Sequence, residues 1–541
     1  MVAVFTGSGL GLFNTSITQL GGSSGGASGL GQLRGGQYVN AATGNLVLQE
    51  LDESLLVRGL NATFLRTYNS RGTVTGAGQD GFVTGFERSV ALTGTLNQVG
   101  STMTLSTGDG QSVVFAYSGT ANLYVATGGD GAHDTLVWDG TARTWTYTEG
   151  SSRREELYAD HASATLKGRL TRIRDLKSDG TTPAEFDVLY DANNRITEVR
   201  SIDGSGATAD AILFGYNGST TQLTSVTTRE GGQTRSQMTY AYDGYGRLVS
   251  VLTDLTPENV SDNVWSTTAS DNDGKLFKTT YAYVTASASD LRIASVTTSD
   301  GYTVAYTYES DGASGYRVKT VTQGSTTDGS SQTISFVYST NSTDVIEGAV
   351  GGGGRTWTYQ YDADKQLTAV LEPAVNGLRQ KTSYSYDTAG NLTRISVAGD
   401  SANTGTTTQL DTVFFYDANG NRTLQRDRLG NTIAWTYDAS NQVVTETRYT
   451  VADADGLDPG NTGATNVPSG ALTTHYVYDA RSRLRFVVDA AGGVRELTYA
   501  SSGNGIGQVA TERRYLGNAY TGTTWTESAL NTWATDATAK P

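Results

Sequence analysis

Apolar and polar residues alternate along most of the chain, the period of strands that bury one face and solvate the other. Ser112-Val113-Val114-Phe115-Ala116-Tyr117 and the stretch from Trp138 to Tyr147 show it early. Further on it becomes a repeat. Tyr190-Asp191, Tyr242-Asp243, Tyr361-Asp362, Tyr386-Asp387, Tyr416-Asp417, Tyr437-Asp438 and Tyr478-Asp479 close segments of one design. Another aromatic stands two positions before most of these tyrosines: Tyr240, Tyr359, Tyr384, Phe414, Trp435 and Tyr476. Strand geometry puts both rings of each pair on one face.

The aspartate predicts a turn, because its carboxylate can accept from backbone N–H groups two or more residues on. Four residues after the tyrosine come Asn194, Gly246, Gly390, Gly420 and Asn441, types that tolerate a left-handed backbone; Lys365 and Ser482 depart from this. Six residues after it an apolar residue resumes the inward face, Ile196, Leu248, Leu367, Leu392, Val443 or Leu484, with Arg422 as the exception. Each unit therefore reads as a β-hairpin. Asp427-Arg428-Leu429-Gly430 and Asp489-Ala490-Ala491-Gly492 supply the turn at the other end, and Phe214/Tyr216, Tyr281/Tyr283, Tyr306/Tyr308 and Phe336/Tyr338 read as degenerate copies. The unit is about 21 residues with insertions at turns. One hairpin cannot bury its own aromatic face, so the hairpins must pair edge to edge into one long, twisted, coiling sheet. Spacing leaves open whether the coil is a solid solenoid or a hollow shell.

Composition fits an all-β chain. Among 541 residues there are 66 Gly, 30 Tyr, 6 Pro and no Cys, so the core must be rich in tyrosine and free of disulfides or thiolate metal sites. A net charge of −15 argues against nucleic acid and anionic membranes as partners. No apolar run is long enough for a membrane-spanning helix, and Met1 to Leu12 lack the pattern of a secretory signal; export would need a specialised route.

The pattern aromatic-x-Tyr-Asp-x-x-Gly-x-Leu, with its Asp-x-x-Gly half-motif, resembles the Rhs/YD-repeat family, which includes polymorphic toxin shells, insecticidal toxin-complex subunits and teneurins. The segment from Tyr38-Val39-Asn40-Ala41-Ala42-Thr43-Gly44-Asn45-Leu46 through Phe64 to Ser70 resembles the stretch that opens the repeats in bacterial members. The resemblance implies a β-sheet spiral closing into a hollow cocoon, often around a C-terminal toxin domain. The family's closing region with its self-cleaving aspartates is not found before Pro541, and the chain looks like the N-terminal portion of something longer.

The expected organisation is a Gly/Ser-rich leader or linker at 1–36, an introductory β-domain or shell cap at 37–165, the YD-repeat shell at 166–515 and a tail at 516–541. No residue set points to catalysis. His133, His161 and His475 share no ligand spacing, Gly7-Ser8-Gly9 and Gly503-Asn504-Gly505 read as loops, and the repeat aspartates cap turns rather than pair at one site. Asp453, Asp455 and Asp458 form a weak Ca²⁺ candidate without a bidentate Glu, and Asp271-Asn272-Asp273-Gly274 is a fainter echo. No other cofactor is expected. The leading functional expectation is a non-enzymatic scaffold, extracellular or at the cell surface, enclosing a C-terminal toxin or other cargo polypeptide. The alternative is an adhesive or carbohydrate-binding scaffold that meets a surface carbohydrate or another cell through exposed aromatics such as Trp435/Tyr437 and Tyr476/Tyr478.

Overall fold

The computed structural model describes residues 3–12, 32–33, 35–56, 61–72, 80–126, 134–149, 154–175, 184–202, 208–257, 275–313, 315–325, 329–398, 411–453, 468–500 and 508–536. The described residues are all-β apart from one short helix, Glu527–Thr535. Two sheets account for it. A small N-terminal sheet is ordered Ala3–Phe5, Gly35–Asn40, Leu46–Leu56, Asn61–Asn69, Phe82–Thr84, with Gln32–Leu33 paired to the second of these. Its first strand is parallel to Tyr38–Asn40, so part of the expected leader belongs to the sheet. Residues 13–31 of that leader lie outside the described residues.

The second sheet has 32 strands, from Ser89–Thr93 to Val509–Tyr515, each antiparallel to its neighbour in sequence. It is the single coiled sheet that hairpin pairing requires. The end strands each have one full ladder and are not paired with one another among the described residues. The boundary expected at residue 165 is not a break in this sheet: Arg154–Ala159 pairs with Leu170–Asp175, which pairs with Ala184–Tyr190. Ladder hydrogen bonds need no Tyr-Asp signature, so strands from Ser89 onward join the repeats without carrying their motif.

The coil touches its own start. Ser89 bridges to Arg169, Val90 N donates to Gly168 O at 2.8 Å, and Leu170 N donates to Arg88 O at 3.1 Å. Gly168 has φ +67°, and a Cβ there would stand 2.0 Å from Val90 O. Gly168→Ala is therefore expected to lower the stability by about 2 kcal/mol or more through backbone strain plus displacement of this crossing. Urea denaturation would measure it.

One apolar core joins the two sheets. Val39, Leu46, Leu48, Phe64 and Tyr68 of the small sheet cluster with Phe186, Ile212, Tyr240, Tyr281, Tyr306 and Phe336 of the large one. Phe64 meets Phe214 edge to face at 5.1 Å, and Phe82 meets Tyr281 at 5.6 Å. The large sheet is wound around the small one. A second cluster, Val477, Phe486, Val488, Val494, Tyr515, Tyr520 and Leu530, lies under the helix, with Tyr515 and Tyr520 packed on Trp533.

Candidate functional site: the repeat rim and the inner seam

Each repeat tyrosine ends its strand at a β-bulge, where pairing skips one residue: between Leu189 and Tyr190, Ser385 and Tyr386, Val477 and Tyr478, and at the other copies. The hydroxyl then reaches back one hairpin. Tyr386 Oη donates to Leu367 O at 2.8 Å, Tyr416 to Leu392 O at 2.8 Å, Tyr437 to Arg422 O at 2.7 Å, Tyr478 to Val443 O at 2.9 Å, and Tyr499 to Leu484 O at 2.7 Å. Tyr190, Tyr216, Tyr283, Tyr308 and Tyr338 do the same to Leu170, Ile196, Leu248, Ile293 and Val318.

The acceptor is always the residue six after a repeat tyrosine, or its counterpart in a degenerate copy. Its carbonyl faces the next hairpin just beyond the last ladder pair: Leu392 lies two residues outside Arg394↔Val413, and Leu484 two outside Phe486↔Glu496. No backbone N–H remains to meet it, so a phenol does. Arg422, an exception by residue type, obeys the rule with its backbone. Burial raises the Tyr190, Tyr216 and Tyr386 hydroxyls above the usual phenol range, which keeps them protonated and donating. Tyr386→Phe is expected to cost about 1 kcal/mol. Tyr361→Phe should cost less, because its hydroxyl makes only longer contacts, 3.2 Å to Thr343 Oγ1 and 3.4 Å to Ser339 O. Paired denaturation curves read both.

The aspartates hold the turns. Asp387 Oδ1 accepts from Ala389 N and Asn391 N at 2.9 Å each; Asp191, Asp243, Asp417, Asp438 and Asp479 are bonded in the same way, and Asp362 accepts from Gln366 N. The left-handed position is occupied in all seven repeats, Gly390 and Gly420 included, and also by Lys365 at φ 65° and Ser482 at φ 63°. Departures of residue type are not departures of backbone.

One residue went unmarked by the motif. The arginine just before the accepting carbonyl bonds its own turn aspartate and lies over the next tyrosine: Arg195 on Asp191 and 4.6 Å from the Tyr216 ring, Arg247 on Asp243 and 4.3 Å from Tyr283, Arg483 on Asp479 and 4.4 Å from Tyr499. Burial alone would raise the Asp191 and Asp243 carboxyls, yet these arginines and the turn N–H groups hold them below the ordinary range. Turn, tyrosine and carbonyl thus form a row along one rim, joined by the arginine in these three units, and most hairpins are latched to the one before.

At the inner seam, the two sheets meet through buried charge. Asp52 and Arg66, 8% and 3% exposed, are joined by Nε to Oδ2 at 2.7 Å and Nη2 to Oδ1 at 3.1 Å. Tyr240 donates to Asp52 at 2.8 Å, and Arg66 donates to Tyr281 Oη at 3.2 Å. Glu53 accepts from Thr228 and Ser236 at 2.8 Å each. The turn carrying Asn40 to Asn45 docks on the rim: Val318 N donates to Gly44 O at 3.0 Å and Thr343 Oγ1 to Ala41 O at 2.6 Å. The opening segment is a docking element.

The seam covers only part of the inner face. Tyr240, Tyr281, Tyr306 and Phe336 are buried, whereas Tyr384, Trp435 and Tyr476 of later repeats are half-buried. Of the other sequence candidates, His161 accepts from Trp145 Nε1 at 3.0 Å, and His475 stacks on Trp525 with centroids 3.5 Å apart. Asp453 is buried against Arg426, Nη1 to Oδ2 at 3.1 Å. Asp455 and Asp458 lie outside the described residues, as do His133, Asp271 to Gly274 and Gly503 to Gly505. No described group of three or more acidic or histidine side chains is placed to hold a metal.

Three family models match: a teneurin YD-shell over residues 166–413, an RHS repeat over 416–456, and a domain of unknown function, DUF6531, over 36–115. Curated proteins give no match. Among solved structures, a TcdB2-TccC3-TEV chain is 12% identical, with 85% of this chain and 27% of that one covered at a TM-score of 0.34. The Tc holotoxin pore of Photorhabdus luminescens is 11% identical, with 87% and 31% covered at 0.22. The chain spans about a third or less of the length of these proteins. Likenesses this remote establish no shared activity.

Proposed function

The chain belongs to the Rhs/YD-repeat family, and from that premise we propose that it is the enclosing part of a secreted shell, holding a C-terminal toxin or other cargo polypeptide against its inner face and catalysing nothing itself. The chain is a β-shell scaffold; enclosure of cargo is the further step. The observation that carries it is the unequal cover of the inner face. The N-terminal sheet seals the early repeats, while Tyr384, Trp435 and Tyr476 keep surface open on the same face. A half-covered aromatic face suits an extended or unfolded chain, which can lay side chains on rings without a specific pocket. Among the described residues no helix is long and apolar enough to cross a membrane. We place the protein's action outside the producing cell, with the rim latches resisting unwinding there.

The test is protease protection of the protein as its own cells produce it. A polypeptide that survives native digestion and becomes degradable only after the sheet is unfolded supports the reading. Complete loss of every segment other than the shell under native conditions overturns it.

A further inference from the structure

The latch row falters at Tyr361, and a cleft of about 560 Å³ opens beside it. Three cations, Arg71, Arg317 and Lys365, line the cleft against one carboxylate, Asp311, in a chain whose net charge is −15. Arg71 spans Asp311 Oδ2 at 2.5 Å and Tyr316 O at 2.9 Å, and Arg317 donates to Glu309 at 2.9 Å. Lys365 makes no ion pair among the described residues; its ammonium stands 5.2 Å from the Tyr361 ring. It also occupies a left-handed turn position at φ 65°, which lysine adopts at a cost that glycine avoids. Two departures from the repeat, a tyrosine with only long hydroxyl contacts and a lysine in no ion pair among the described residues, thus converge on one cleft. Its wall adds the hydroxyl-bearing Thr43, Tyr338 and Ser339.

We propose that this cleft binds a small ligand bearing an oxyanion, a carboxylate or phosphate group, with Lys365 as the anchoring cation and the hydroxyls meeting the rest. The volume is that of a small-molecule site. The oxyanion reaches an ammonium that is in no ion pair among the described residues, and charge-assisted bonds supply the affinity. The proposal is independent of what, if anything, the shell encloses.

Titration calorimetry on the whole chain at fixed ionic strength tests it, with inorganic phosphate, glucuronate and glucose as probes. Heat is expected with at least one of the two anions and none with glucose; the tighter anion tells whether the source is a free oxyanion or an acidic sugar. Lys365→Gly supplies the residue the turn favours, so the fold is kept, and affinity should fall about tenfold; Lys365→Arg should retain it. Equal binding of glucose, silence with both anions, or unchanged affinity in a Lys365→Gly chain of unaltered melting temperature would overturn the proposal.

Discussion

Replacing Arg66 by alanine is expected to destabilise the folded chain by about 3–5 kcal/mol, the effect of stranding one partner of a buried ion pair. Asp52 would keep the Tyr240 hydroxyl but lose both guanidinium bonds, in a place largely closed to water. The guanidinium also lies 4.6 Å over the Phe82 ring, so packing goes with the charge. The double change Arg66→Leu with Asp52→Leu should recover most of the loss, because it removes both charges together. Urea denaturation followed by tryptophan fluorescence gives the values. A single-variant loss below about 1 kcal/mol would mean that the seam does not hold the two sheets together.

Stability is expected to fall as the pH rises from about 4 to 7. Burial raises the carboxyls of Glu50 and Glu87 to about 7 and that of Asp80 to about 6. All three belong to the N-terminal segment and are faced by shell groups. Tyr281 and Tyr306 meet the field of Glu50, Tyr242 bonds Asp80, and Arg169, Tyr190 and Tyr216 lie near Glu87. A raised folded pKa means that the unfolded chain gives up its proton first. The contribution is therefore complete below about 4 and is lost as pH climbs through 6 and 7. Displacements of this size correspond to about 3 kcal/mol for each of these groups. The opposite limb comes from Asp290 and Asp311, held at about 2 by Arg292 and by Ala313 N with Arg71 respectively; their support is lost as pH falls below about 4. Thermal midpoints measured from pH 3 to 9 should peak between about 4 and 5, and a maximum above 7 would contradict the assignment.

Much of this was legible in the sequence because tyrosine, aspartate and a left-handed residue recur at fixed offsets, and each offset has a local cause. Strand, turn and inward face followed. The latch did not, since its acceptor is a backbone carbonyl, which no residue type announces; Leu392 and Arg422 serve equally. A signal was present in the arginines before Ile196, Leu248 and Leu484, which sit where a solvated turn would not need them. Placement of the small sheet inside the large one was also hidden. Nothing in the local sequence marks the charged Asp52, Glu53 and Arg66 as buried; their partners Tyr240 and Thr228 lie far along the chain. Lys365 and Ser482 show that a backbone conformation can persist under an unfavourable side chain when neighbouring hairpins impose it.

The central claim is that the repeat sheet is wound around the N-terminal sheet, which seals the early part of the inner face and leaves the later part open. Hydroxyl-radical footprinting of the intact chain by mass spectrometry tests this most directly. Tyr240, Tyr281 and Tyr306 should resist oxidation while Tyr384, Trp435 and Tyr476 are modified. Equal modification of the two groups, or protection of the later one alone, would contradict the account.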